Sequence, residues 1–291
     1  MQRINFTHKR KILRTIYLNM CTKVIANLLT LFHNFNKLPR ISTLLENLIC
    51  RIRFSNIKFE WDSAKQLMLV SEGYDSHYFQ FSARGFQLFR NGIHKRAEFL
   101  FNSYLLSNIT FERNDVIIDC GANWGDLYIK FRELGILNYF AFEPNDLTYK
   151  VLKLNAESAT CLNIGLGNRS EVANFYVDNS DASSSFVQPS FFSYQKKIQI
   201  HTLDEWSESM RIQTVKLLKV DGEGFELEIL KGTENLLSRI HYIALDGGPE
   251  RGIDQKSTFA ECSNYLYKQG FEMVEVYFPW YRGLFKNSLF A

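Results

Sequence analysis

The stretch Val116-Ile117-Ile118-Asp119-Cys120-Gly121-Ala122-Asn123-Trp124-Gly125 decides the fold. It reads as a short apolar strand, Val116 to Asp119, that breaks into a glycine-bearing turn. Gly121 permits a tight turn and lets the backbone approach a ligand with no Cβ in the way. Gly125 lies where the next helix is expected to begin, and a helix N-terminus favours a carboxylate or phosphate. Asp119 is short, acidic and placed to brace the loop or to reach an ammonium group through water. Downstream the pattern alternates: helix 127–134, strand 139–142, helix 147–155 and a strand near 161–164. Strands at 215–220, 242–245 and 273–278 and helices at 226–237 and 258–269 follow. Alternating units of this kind specify an α/β, Rossmann-like domain with a mainly parallel sheet, assigned to 108–291.

Upstream, two segments differ from this body. Residues 1–53 hold ten Lys/Arg against the single acid Glu46, a net +9, whereas the whole chain carries +3. The basic charge therefore belongs to an N-terminal arm. Leu13, Ile16, Tyr17, Met20, Val24, Leu28 and Leu31 recur at helical spacing, so the arm is expected to be helical to about Leu48, with Pro39 ending the helix. Such a helix could pack on the body or on a second copy, or lie as a peripheral contact on an anionic membrane surface. Nucleic acid is not an expected partner, since no recognition motif accompanies the charge. Residues 54–107 read as a small antiparallel sheet followed by a helix over 85–106. The five dispersed cysteines show no paired spacing, which argues for a reducing compartment. The most apolar stretch, 16–32, is broken by Asn19, Lys23 and Asn27, and the expected location is cytoplasmic.

Parallel sheets place ligands at the carboxyl ends of their strands, where strand order reverses. Glu143 ends the strand after the glycine turn, in Phe-Ala-Phe-Glu-Pro-Asn. A carboxylate there can accept both hydroxyls of a ribose. The expected cofactor-binding residues are Asp119, Gly121, Ala122, Asn123 and Gly125 from the first turn, Glu143 and Asn145 from the second, and Asn163 and Gly165 from the third.

Six segments in order carry a family resemblance: Asp119 to Gly125, Glu143-Pro144, Leu152 to Asn155, Thr202-Leu203-Asp204, Lys219-Val-Asp-Gly-Glu-Gly-Phe-Glu226 and Asp246-Gly-Gly-Pro-Glu-Arg-Gly252. In these, residues 85–290 resemble the FkbM-type methyltransferases. Gly222 stands where that family usually has a β-branched residue, and Trp124 where it has an aliphatic one. The resemblance implies a class I sheet with an antiparallel last strand, S-adenosylmethionine as cofactor, and O-methylation of a small-molecule or glycan acceptor. Methyl transfer to an aliphatic hydroxyl needs alignment and a base. Asp221 and Glu223, after the fourth strand, are the first candidates and His201 the third. Asp246, Glu250 and Arg251 are expected at the acceptor, although Arg251 could equally pair internally with an acid. Asp221, Glu223 and Asp246 could converge on a divalent ion, but no spacing requires one and none is expected. Two rivals stay open at this point. One is a nucleotide-cofactor oxidoreductase, disfavoured because the turn lacks the GxGxxG spacing, and the other a catalytically silent binding protein.

Overall fold

A computed structural model describes residues 39–53, 55–178 and 183–290. The expected apolar helix face from Leu13 to Leu31, and with it the membrane-surface reading, falls outside the described residues. The chain divides into two compact units, one ending at Arg96 and the other beginning at Ala97. Among the described residues no helix is long and apolar enough to cross a membrane.

In the first unit, strands β1 (Ile57–Asp62), β2 (Leu67–Glu72) and β3 (Asp75–Phe79) form the expected antiparallel sheet. Their alternation buries Phe59, Met68, Val70 and Phe79 on one face, against Phe86 and Phe89. The helix α1 (Pro39–Ile52) begins at the proline expected to end a helix. Proline fits a first turn because its missing N–H would find no partner there in any case. The α1 helix belongs with this sheet rather than with a separate arm. The Asn47 side chain accepts from Phe59 N and donates to Phe59 O, both at 2.8 Å, which pairs the edge strand. Glu46, fully buried, holds Arg90 through two hydrogen bonds of 2.6 and 3.0 Å. The single helix expected over 85–106 is two, α2 (Ala83–Phe89) and α3 (Ile93–Ser103). Gly92, at φ +110°, breaks them, and the Glu72 carboxylate accepts the exposed N–H groups of Ile93 and His94.

The second unit carries the Rossmann-like sheet. Its strands are β4 (Val116–Cys120), β5 (Asn138–Phe142), β6 (Thr160–Leu162), β10 (Val215–Val220), β11 (Ile240–Asp246), β14 (Phe271–Tyr277) and β15 (Arg282–Asn287). The order is β14-β15-β11-β10-β4-β5-β6, and β15 runs antiparallel to both its neighbours. The apolar runs follow from burial on both faces. Ile118, Phe140, Leu218 and Ile243 face one core with Trp206, Leu230 and Leu266. Ile117, Tyr139, Leu217 and Ala244 face the other with Phe101, Leu106 and Phe131. Phe101, Tyr104, Leu105 and Leu106, from the stretch 97–107, belong to that second core and to the second compact unit.

Two departures matter for the site. The hairpin β8 (Glu171–Val177) and β9 (Tyr194–His201) forms a separate three-stranded sheet with β7 (Gly165–Leu166), which the sequence reading did not anticipate. The stretch after β11 forms a second small hairpin, β12 (Pro249–Arg251) with β13 (Lys256–Ser257), which carries Glu250. Thr202 caps the helix Leu203–Ser209, and Asp204 accepts from Asn235 and Leu236 N–H groups. The Thr-Leu-Asp segment is thus a structural clamp.

Candidate active site

From β4 the chain moves outward through β5 to β6, then returns to β10 on the opposite side of β4. This reversal makes the carboxyl ends of β4 and β10 the topological switch point. Lys219 pairs with Asp119 and Val220 with Cys120 across the two strands, so the loops starting at Gly121 and Asp221 leave side by side. A Cβ on Gly121, at φ +75°, would lie 2.0 Å from the Asp221 carbonyl oxygen. The glycine is therefore required by the neighbouring strand's exit, in addition to any ligand.

The first loop is held by backbone. Gly121 and Ala122 N–H groups both donate to Phe142 O at 3.0 Å. Asn123, in the left-handed region at φ +49°, donates its N–H to Glu143 Oε2 at 3.0 Å. The next helix starts at Tyr128, three residues beyond Gly125, so loop backbone and not a helix end faces the site. Asp119 is fully buried, accepts from the Tyr139 hydroxyl and pairs with Lys219 at 3.1 Å. Through these two partners it braces the loop.

Glu143 sits at the end of β5 with 7% exposure. Its Oε1 accepts from Asn145 N at 2.9 Å, and Asn145 in turn caps the helix Asp146–Asn155. Burial pushes the Glu143 carboxyl up to about 7, against the downward pull of its two N–H donors. Asn163 donates to Glu143 O and Pro144 O, tying the third turn to the second. Gly165 is packed under Phe186, where a Cβ would lie 2.3 Å from the ring. The four expected positions from Glu143 to Gly165 thus form one braced rim. A ribose held by Glu143 needs the ionised carboxylate as acceptor. Affinity for S-adenosylhomocysteine should therefore rise with pH through about 7 and then level off, while Glu143→Gln gives a flat, weaker profile, lower by about 1–3 kcal/mol. Calorimetry at several pH values checks this, and a wild-type curve as flat as the variant's would remove Glu143 from the cofactor.

On the other side of the switch point stands Lys219, to which the sequence reading gave no role. Its ammonium lies 3.1 Å from Asp119, 3.4 Å from Asp221 and 2.7 Å from Gly121 O. Burial opposes its charge, yet Asp119 and Asp221 hold its pKa above the ordinary lysine value. A lysine inside the apolar run Val-Lys-Leu-Leu-Lys-Val was the available signal. Asp221 also accepts from the Tyr104 hydroxyl at 2.6 Å. Burial would raise the Asp221 carboxyl, but Lys219, Arg282 and Tyr104 together hold it below the usual range. Arg282 lies over the Tyr104 ring at 4.1 Å and donates to Asp246 at 2.6 Å. No local pattern links Tyr104 or Arg282 to this site.

Glu223 stands in the left-handed region at φ +51°, in a loop pinned from two sides. Glu226 accepts from Gly222 and Gly224 N–H groups at 2.9 and 2.8 Å, and buried Ser185 donates to Glu223 O at 2.7 Å. Gly222 suits its place: a Cβ would come within 2.9 Å of Ile229. Burial, then the nearby Glu250 and Asp221, raise the Glu223 carboxyl well above its usual value. Burial, then Asp221, Asp246 and Glu226, push Glu250 up to about 8, against the downward pull of Arg282.

Of the remaining expected residues, Arg251 is committed to an internal pair. It meets Glu228 in a two-pronged bridge of 2.7 and 2.9 Å and donates to Gly224 O, the internal pairing that the sequence left open. Asp246 is engaged by Arg282. His201 ends β9 in the separate sheet. Among the described residues, the ligand-type side chains that come together are Asp221, Glu223 and Glu250, without His201 or Asp246.

The sequence family described as Methyltransferase FkbM domain matches residues 119–276. The chain is 29% identical over 147 residues to the hexuronic acid methyltransferase AglP of Haloferax volcanii, a match covering 50% of this chain and 60% of that protein. It is 25% identical over 194 residues to Methyltransferase 1 of Beauveria bassiana, covering 56% of this chain and 75% of that one. The crystal structure of methyltransferase FkbM from Methylobacillus flagellatus superposes at a TM-score of 0.45 with 16% identity, covering 95% of this chain and 60% of that chain. The chain thus spans about 60% of the length of AglP.

Proposed function

Because the chain belongs to the FkbM family of S-adenosylmethionine-dependent methyltransferases, we propose that it methylates a hydroxyl of a saccharide or of a lipid- or nucleotide-linked sugar. The observation that carries this reading is the meeting, at one switch point, of the braced glycine loop 121–125 with the carboxylates that follow β10. The similarity to a hexuronic acid methyltransferase supports the sugar class.

When bound, the cofactor supplies a methyl group on a sulfonium and leaves as the thioether S-adenosylhomocysteine. The chain's own residues have two tasks, holding the acceptor oxygen in line and taking its proton. The acceptor hydroxyl would be held toward that methyl group, and its proton would pass to one of the carboxylates that follow β10. Asp221 is already engaged by Tyr104 and Lys219. Among the described residues Glu223 has no such partner, and its raised pKa makes it the stronger base of the two once ionised.

The test is transfer of labelled methyl from S-adenosylmethionine to a panel of glycans and sugar nucleotides, uronic acids included. Glu223→Gln should lose about 10²–10⁴-fold in turnover while retaining S-adenosylhomocysteine affinity. A comparable loss in His201→Gln with Glu223→Gln near wild type would move the base to the histidine. Transfer to non-sugar hydroxyls alone would overturn the acceptor class.

A further inference from the structure

We propose that the turn Phe278-Pro279-Trp280-Tyr281 is a stacking platform for a sugar ring of the acceptor, with Trp280 at its centre. The turn joins β14 to β15. Both β14 and β11 pair antiparallel with β15, and β11 runs parallel to β10. The turn therefore lies at the same edge of the sheet as the carboxyl end of β10, where the site opens. It is pinned there by the loop after β11, whose Gly247 donates its N–H to Tyr281 O at 3.1 Å.

Phe278, Trp280 and Tyr281 are 74%, 41% and 44% exposed, which leaves three large rings of one turn in water. Single exposed rings are ordinary, but these are grouped and braced. The Trp280 ring meets those of Phe99 and Tyr277 edge-on, with centroids 5.1 and 5.5 Å apart, and the Arg282 guanidinium lies 5.1 Å from its centre. Pro279 restricts the backbone before it. Tyr281 after it takes the left-handed region at φ +52°, which is strained for a bulky residue. Strain of that kind persists where the surroundings enforce it, and it gathers at ligand sites. The same Arg282 lies 4.1 Å over the Tyr104 ring, and the Tyr104 hydroxyl donates to Asp221 at 2.6 Å. Contacts thus run unbroken from Trp280 to the carboxylates that follow β10.

The choice of occupant rests on the acceptor reading above. A sugar ring has a face of C–H groups and a rim of hydroxyls. The face packs on an aromatic ring, and the rim donates to carboxylates. This edge of the sheet offers both, the rings of the turn and the half-buried Glu223 and Glu250. A rigid ring also costs little entropy to use, because it is already held in place. An anionic lipid surface would call for Lys or Arg beside the rings. The neighbouring strand β14 carries Glu272 and Glu275 instead, and Arg282 is taken by Asp246.

The experiment titrates the full chain, with S-adenosylhomocysteine bound, with the methyl glycosides of glucose, galactose and glucuronic acid. Acrylamide quenching is followed, and the difference between wild type and Trp280→Phe isolates the Trp280 fluorescence. At least one glycoside should shield that fluorescence. Trp280→Ala should weaken its binding, read by calorimetry, about tenfold or more, whereas Trp280→Phe keeps a ring and stays within about threefold. With a saccharide that is methylated, Trp280→Ala should raise KM by a like factor and change kcat far less, because a ring held away from the reacting atoms binds equally before and during transfer. Both variants should retain S-adenosylhomocysteine binding, which reports an intact fold. Equal glycoside affinity in wild type and Trp280→Ala, or no shielding by any glycoside, overturns the platform. Loss of binding to phosphatidylserine vesicles or of self-association in Trp280→Ala, with glycoside affinity unchanged, assigns the turn to lipid or to a second copy and overturns it as well. Shielding by a glycoside without methyl transfer to any saccharide would count against the acceptor reading and leave the platform standing.

Discussion

Replacing Gly121 with alanine should abolish measurable cofactor binding and destabilise the protein by about 2–5 kcal/mol. Two effects add. An L residue at φ +75° costs about 1–2 kcal/mol, and inserting a methyl group into a packed position costs about 1–3 kcal/mol more. Here the methyl would meet a backbone oxygen at 2.0 Å, and backbone cannot swing aside as a side chain can. The strand exit at Asp221 would have to shift, moving the carboxylates along with it. A fall in Tm of about 4–20 °C is expected by calorimetry. Gly135→Ala is the matched control. Its φ is nearly the same at +74°, but nothing lies within 4 Å, so it should show only the backbone share. Equal losses in the two variants would mean that the loops at 121 and 221 do not abut.

Lys219→Met should be nearly as damaging. It removes a buried ammonium from between two carboxylates, and breaking a buried pair from one side costs about 3–5 kcal/mol. The carbonyls of Cys120 and Gly121 lose their donor as well, so the cofactor loop loosens. Urea unfolding would report the first effect and S-adenosylhomocysteine calorimetry the second. Lys216→Met, on the same strand, removes only a contact over the Tyr242 ring and should stay within about 0.5 kcal/mol. A loss below about 1 kcal/mol for Lys219→Met would show that the lysine is not the keystone described.

Much of this protein is legible along its length. The apolar runs at 116–119, 139–142 and 215–220 announce parallel strands buried on both faces, and each matches a strand to within a residue at either end. The missed hairpin β8–β9 has polar residues alternating with apolar ones over only half its faces, a weaker signal. Likewise Pro39 marks a helix boundary in the sequence, but a proline serves either a stop or a first turn, and its packing against the first sheet selects the second.

By itself the sequence determined the strands β4, β5, β10 and β11, the glycine turn at 121–125 and the acids that follow those strands. These depend on backbone periodicity and on turn stereochemistry, which are local properties. Only the tertiary structure decided which of those acids is available. Asp221 is taken by Tyr104, 117 positions away, and Asp246 by Arg282, 36 positions away. Arg251 is paired with Glu228, and Glu250 is brought to Glu223 on a hairpin. Charge pairing depends on distance through space, and no pattern along the chain records which cation will already be occupied.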